Sequence, residues 1–449
     1  MTGPRPGGRG GARGPGALRG VGRALRHRNY RLFFSGQSVS LIGTWITRIA
    51  TSWLVYRLTG SAWMLGLVGF AGQFPTFLLA PVAGVWVDRW DRHRVLVVTQ
   101  ILAAIQSGIL AFLALTGWIT VRDIVILSVF QGLINAVDMP ARQSFVVEMV
   151  EDRADLPNAI ALNSTMFNSA RLIGPSIAGL LIAWIGEGWC FLIDAVSYLA
   201  VIASLLMMRV APRVLTKKPG RIVTEIVEGY RYVSGFAPIR AVLLLLALVS
   251  LLGMPYIVLM PIMAGAVLHG GPHTLGFLMA ASGLGALSGA LYLATRRTVL
   301  GLGRVIAFAA SGFGLGLAAF SLSRSLWLSL PLMTISGLCG IVMMASSNTI
   351  LQTLTDDDKR GRVMSFYSMA FFGTTPLGSL IAGSLASGIG APHTILVGGL
   401  CCVLGALLFF RKLPALRKVV HPVYIRLGIL PGPGERDGRA RTVTLPPEP

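Results

Sequence analysis

The sequence predicts an all-α membrane protein of twelve transmembrane helices split six and six, and three observations carry that expectation. The first is composition: 54% of the 449 residues are hydrophobic and only 13% are charged, with a mean hydropathy of +0.70, whereas soluble chains carry about 25% charged residues. The second is the stretch Gly84-Val85-Trp86-Val87-Asp88-Arg89-Trp90-Asp91-Arg92-His93-Arg94, five charges in seven residues between two runs, 64–87 and 95–120, that hold none. Apolar runs of that length cross a bilayer as helices, so a charged turn this short joins two spans on one side of the membrane. The third is the placement of the basic residues along the chain.

Taken in order, residues 1–28 are rich in Gly, Arg and Pro and have no apolar core, which reads as a disordered basic arm on the cytoplasmic surface. The first apolar run is of full span length and lacks a small-residue cleavage site, so the arm is not a signal peptide. Runs at 32–56, 64–87, 95–115, 124–147, 158–184 and 189–208 form a first bundle within 29–208. Residues 209–240 read as a cytoplasmic linker carrying Lys217, Lys218, Arg221 and Arg231, with an amphipathic surface helix at 222–232. A second bundle within 241–410 holds runs at 241–263, 274–294, 305–322, 326–354, 363–389 and 394–410, and 411–449 is a cytoplasmic tail, mostly disordered. With both ends cytoplasmic, only Arg57, Arg122 and Arg324 of the 39 Lys and Arg fall in outer loops, and Arg48 and Arg171 fall inside spans. All the others lie on the inner side, as the retention of basic residues there requires.

A net charge of +21 would point to nucleic acid in a soluble chain. Here its position along the spans assigns it to membrane topology, with no nucleic-acid partner. Cys190, Cys339, Cys401 and Cys402 all lie in apolar segments without C-x-x-C spacing, so neither a metal site nor a disulfide framework is implied. There is no H-E-x-x-H and no G-x-x-x-x-G-K-[ST]. No nucleophile, base and orienting group are recognisable in the spans, so neither enzymatic activity nor a cofactor is expected.

The halves repeat. Gly174, Ala178, Gly179, Ile185 and Gly186 recur 204 positions later as Gly378, Ala382, Gly383, Ile389 and Gly390, and Gly84 and Arg92 recur 205 later as Gly289 and Arg297. In the fifth span, Ala170, Gly174 and Ala178 at spacing four form a smooth stripe for close helix packing, and Pro175 removes a backbone donor. Arg171, facing with Ser164 and Asn168, lies near mid-span, where an arginine costs about 2.5 to 3.5 kcal/mol, so a partner or a water-filled cavity is expected. The acidic candidate for that partner inside a span is Asp194; the pair Arg171 and Asp194 is either functional or a structural bundle salt bridge. The first span carries Gln37, Thr44, Arg48 and Thr51, a polar stripe that reads as cavity lining, with snorkelling of Arg48 toward an interface as the alternative.

The pattern Gly84-x-x-x-Asp88-Arg89-x-Asp91-Arg92-x-Arg94 between the second and third spans resembles the loop signature of the major facilitator superfamily, although any membrane protein carries some positive topology anchors. The run Ala170-Arg171-Leu172-Ile173-Gly174-Pro175-Ser176-Ile177-Ala178-Gly179 is similar to that superfamily's antiporter motif, associated with exporters. Asp138-Met139-Pro140-Ala141-Arg142-Gln143-Ser144-Phe145-Val146-Val147-Glu148, Leu156 to Ser164, Gly43-Thr44-Trp45 and Trp53-Leu54-Val55-Tyr56 resemble its branch of enterobactin exporters, macrolide efflux proteins and transmembrane secretion effectors, over about residues 27–410. The resemblance implies two six-helix bundles related by a pseudo-twofold axis. It also implies a cytoplasmic latch in which Asp88 caps the helix starting near Gly361 and Arg92 meets Asp138, a carboxylate being stabilised beside free helix N–H groups. One departure is Ser128-Val129-Phe130-Gln131-Gly132, which lacks the arginine of the R-x-x-Q-G seen in related drug exporters. Another is Leu293 and Ala294, where the second-half loop lacks its Asp.

The expected function is export of a small amphipathic organic molecule of drug, macrolide or siderophore type, in exchange for protons, by a monomer in the bacterial inner membrane with both termini cytoplasmic. The alternatives are an uptake or facilitative carrier of the same fold and a non-transporting receptor or secretion accessory.

Overall fold

The computed structural model describes residues 22–210, 222–296, 298–356, 359–427 and 429–430, without the side chains of 80–82, 84, 85, 88 and 222–227. Its regular structure is helical, with thirteen long helices among the described residues. The first half comprises α1 (Arg28–Thr59), α2 (Ala62–Arg89), α3 (Arg92–Thr116), α4 (Val121–Met149), α5 (Leu156–Ile185) and α6 (Glu187–Leu206). The linker helix α7 (Ile222–Gly235) precedes α8 (Ala237–Val267), α9 (Pro272–Thr295), α10 (Leu302–Leu322), α11 (Leu326–Leu354), α12 (Arg360–Ile389) and α13 (Ala391–Arg426).

Local chemistry sets the ends. Ser61 accepts from Met64 N to start α2, Asp91 accepts from Arg94 N to start α3, and Thr120 with Asp123 forms a capping box at α4. Gly60 and Gly117 close α1 and α3 at φ of 59° and 76°, in the left-handed region where a side chain is strained. Inside α8 and α12 the helix widens to π turns at Val249–Gly253, Met263–Val267 and Met369–Gly373. The first and last lie just ahead of Pro255 and Pro376, whose rings displace the carbonyl four residues back.

Eleven of the twelve expected spans are long and apolar enough to cross a membrane. The exception is α1, which at 32 residues is about 48 Å long but carries Gln37, Thr44 and Arg48 in its middle. Past the expected end of the last span, α13 continues to Arg426 with Leu413, Val420 and Tyr424 buried. Ahead of α1 a 3-10 turn, Arg23–Arg26, buries Ala24, whose N–H donates to Asn158 Oδ1 at 3.0 Å. Residues 1–21, 211–221 and 431–449, to which most of the disordered arm, part of the linker and the end of the tail were assigned, lie outside the described residues.

The two halves share one packing scheme. In the first, α2 lies on α4, and α3 on α4 and α6; in the second, α9 lies on α11, and α10 on α11 and α13. The halves meet along α2 with α12 and α5 with α9, two contacts that the pseudo-twofold exchanges. At the end of the bundle away from the termini both are backbone against backbone. A Cβ on Gly66 would lie 2.8 Å from Gly383 Cα, and one on Gly179 would lie 2.8 Å from Gly276 Cα. On the axis between them Tyr56 of α1 packs on Gly265 of α8. Nearer the middle larger residues replace one glycine of each contact, Phe77 against Gly373 and Leu172 against Gly283. Beyond that level the first turns of α12, Arg360–Ser368, lie on α7, α8 and α11 of their own half. The central space therefore opens toward the end that carries both termini.

Candidate functional site

The centre of the molecule is built where α1 crosses α5. Gly174 admits α1 to backbone distance, since a Cβ there would lie 2.4 Å from Trp45 Cβ. One helical turn from this crossing in either direction stand the two intramembrane arginines, Arg48 on α1 and Arg171 on α5. Arg48 is exposed and lies 5.3 Å over the Trp45 ring, a cation–π contact. Trp45 in turn meets Phe167 edge-on at 6.3 Å. Arg171 is half-buried, one turn from Phe167 on the same helix. Tyr256 Oη lies 3.1 Å from Ser282 Oγ of α9, so the second half supplies hydroxyls to the same centre. Asn168 is half-buried and donates to Ser164 O at 2.8 Å, while Gln37 is buried in the first bundle.

The antiporter-like run divides its small residues between two neighbours. Ala170, Gly174, Pro175, Ala178 and Gly179 are all buried; Gly174 seats Trp45, and Gly179 seats Gly276 of the other half. Arg171, inside the same run, is turned to the centre.

Two pairings expected above are corrected. Arg171 and Asp194 form no ion pair among the described residues. Asp194, 1% exposed, points into the first bundle, where Ser107 donates to it at 2.8 Å and α1 passes at Gly43, whose added Cβ would lie 2.7 Å from Asp194 Oδ1. The rotation of α6 that packs Cys190, Asp194, Ser197 and Val201 inward takes the carboxylate away from α5. One turn on, Tyr198 Oη lies 3.4 Å from Thr44 Oγ1, so Thr44, exposed at the centre, touches the buried group that leads to Asp194.

Arg92 likewise does not meet Asp138. It donates to Glu148 Oε1 at 2.9 Å and to Ser144 O at 3.4 Å. Arg92 opens α3 at the terminal end of the bundle, level with the last turn of α4, and Asp138 is about 15 Å farther up that helix. There Asp138 is ion-paired with Arg142 and accepts from Thr99 at 2.9 Å and Gln100 at 2.8 Å. Asp138→Ala leaves Arg142 without its counter-charge inside the bundle and is expected to destabilise the fold by about 3 kcal/mol, read as a lowered melting temperature in detergent. Of the remaining latch residues, Arg89 is exposed, Gly361 is exposed in the first turn of α12, and the side chains at Gly84 and Asp88 lie outside the described residues.

Sequence reasoning missed Thr99, Gln100, Ser107, Tyr198, Tyr256 and Ser282. A signal existed for three of them: α3 buries Thr99, Gln100, Gln106 and Ser107, polar residues recurring at a spacing of seven, and Thr99 and Gln100 donate to Asp138 while Ser107 donates to Asp194.

Residues 23–422 match the family model described as transmembrane secretion effector. The chain belongs to that family. Members of this family are major facilitator proteins, and efflux proteins are among the relatives found. The chain is 25% identical to the staphyloferrin A transporter of Staphylococcus aureus, over 85% of this chain and 95% of that protein. It is 29% identical to the multidrug efflux pump Tap of Mycolicibacterium fortuitum, over 84% and 93%. With macrolide efflux protein A of Streptococcus pyogenes the identity is 23%, over 83% and 94%. In fold it is similar to a bacterial homolog of the human lysosomal transporter Spinster in an inward-facing, unoccupied conformation, with a TM-score of 0.68 at 14% identity, covering 88% of this chain and 98% of that one. The fold class predicted above is thus observed, as two six-helix bundles of the major facilitator type.

Proposed function

We propose that this member of the family is a secondary active exporter of amphipathic organic molecules that exchanges them for protons by alternating access, working as a monomer in the bacterial inner membrane with both termini cytoplasmic. One observation carries the reading. A central space is sealed at the far end by two glycine seams and opens at the end holding both termini, and its wall bears Arg48, Arg171 and Thr44, the last in contact with Tyr198, one helical turn from the buried Asp194. With the basic ends cytoplasmic, this is the state that accepts substrate from inside. Asp194 is the proton-carrying candidate, because it is an ionisable group inside the bundle bound by hydroxyls, with Ser107 its donor at 2.8 Å.

In the opposite state, closed inside, Asp88 would cap the start of α12 near Gly361, beside the Arg92–Glu148 pair. Asp88→Asn is expected to lower export severalfold at equal membrane abundance; unchanged export would remove the latch from the mechanism. The function itself is tested by accumulation of labelled macrolides and amphipathic dyes in cells with and without the protein. Lower accumulation that a protonophore reverses is the expected result. No energy-dependent difference across a broad panel favours a receptor or secretion accessory, and a difference insensitive to protonophore favours a facilitative carrier.

A further inference from the structure

The charge at the centre is unbalanced. Arg48 and Arg171 stand one turn either side of the α1–α5 crossing at mid-depth, joined by the Trp45–Phe167 contact, and among the described residues neither makes an ion pair or hydrogen bond. Of the acidic residues, Asp138 and Asp194 are the two inside the spans. Both are turned into the first bundle, one onto Arg142, Thr99 and Gln100 and the other onto Ser107. Two like charges facing one space between apolar walls repel each other, so the arrangement is relieved when an anion enters between them. Around them the wall is aromatic: Trp45 lies beneath Arg48, and Phe167, exposed, lies one turn from Arg171.

We propose that the central site selects amphipathic organic anions, the anionic group lying between Arg48 and Arg171 and the apolar body on Trp45 and Phe167. Guanidinium suits this role, since its planar donor fork matches a carboxylate and stays charged in an apolar wall. The inference deepens the exporter reading by naming the substrate class. Cationic amphipaths are disfavoured at this site because, among the described residues, no carboxylate faces the centre to meet them.

The test separates the charge preference from the transport reading by measuring binding first. Full-length protein in detergent is titrated with dansylglycine, its neutral methyl ester and the cationic dansylcadaverine, three probes that share one fluorophore, read by energy transfer from tryptophan. The expected order is dansylglycine tighter than the ester by about tenfold or more, with the cation weakest. Arg48→Gln and Arg171→Gln each reduce that preference, and Arg48→Lys keeps most of it. The ester or the cation binding as tightly as the anion overturns the proposal, as does a preference that survives both glutamine variants; the wild-type series decides even if a variant does not fold. In proteoliposomes, anion binding without movement under any imposed gradient would count against the exporter reading and leave the site assignment standing. Gradient-driven transport of the cation without anion preference would do the reverse.

Discussion

Asp194→Asn is expected to abolish the response of transport to an imposed proton gradient while the protein still inserts, folds and binds substrate. Asparagine has nearly the volume of aspartate, so the close passage of α1 at Gly43 is kept, and its carbonyl still accepts from Ser107, now 2.8 Å from the carboxylate. What is lost is the buried carboxyl one helical turn from the Thr44–Tyr198 contact. An antiporter that cannot take up a proton has no route by which the gradient biases its cycle, whereas substrate-for-substrate exchange needs no proton. In proteoliposomes the variant should show gradient-driven flux reduced to the level of empty vesicles, with counterflow retained. Asp194→Glu, which restores the titratable group, should recover part of the driven flux. Undiminished gradient-driven transport by Asp194→Asn would assign coupling to another residue.

The second large effect is expected from Gly179→Val. A Cβ at this position would lie 2.8 Å from Gly276 Cα and 2.9 Å from Pro272 O, both backbone atoms that no rotamer change can move. Forcing extra atoms into a packed contact costs about 1 to 3 kcal/mol, and here the cost falls on the state whose far end is closed. Each 1.4 kcal/mol shifts a two-state population about tenfold, so the far end should open in a large share of molecules. Cysteines introduced on either side of the seam should then become reactive to an impermeant thiol reagent, and export should fall by an order of magnitude. Gly66→Val, at the seam related by the pseudo-twofold, should give the same phenotype from the other side, since its Cβ would meet Gly383 Cα at 2.8 Å. Gly108, around which an added Cβ meets nothing within 4 Å, is the control, and Gly108→Ala should be silent. Accessibility at the seam unchanged in both valine variants would show that the glycines do not limit closure.

Much of this was legible without coordinates. The charged turn at 88–94 fixed the joint between α2 and α3, and the glycines recurring 204 positions apart pointed to two like halves. Gly179 and Gly383, one such pair, prove to be the members of the two seams supplied by α5 and α12. The polar stripe on α1 divides in the structure: Thr44 and Arg48 are exposed, whereas Gln37 is buried in the first bundle. Less legible were the partners of charged groups. Arg92 was assigned to Asp138 on the strength of a resemblance, and the vertical offset between α3 and α4 gives it Glu148 instead.

The polypeptide's own pattern determined that the chain threads a bilayer, how often it crosses, where it turns and which end gathers the basic residues, because the membrane responds to hydropathy and charge summed locally along the chain. Only the tertiary structure decided which way Asp194 faces, that Arg48 and Arg171 share one space, and at which end the halves are closed. Each depends on the rotation and axial offset of one helix against another, which packing sets across distances that no local run of residues encodes.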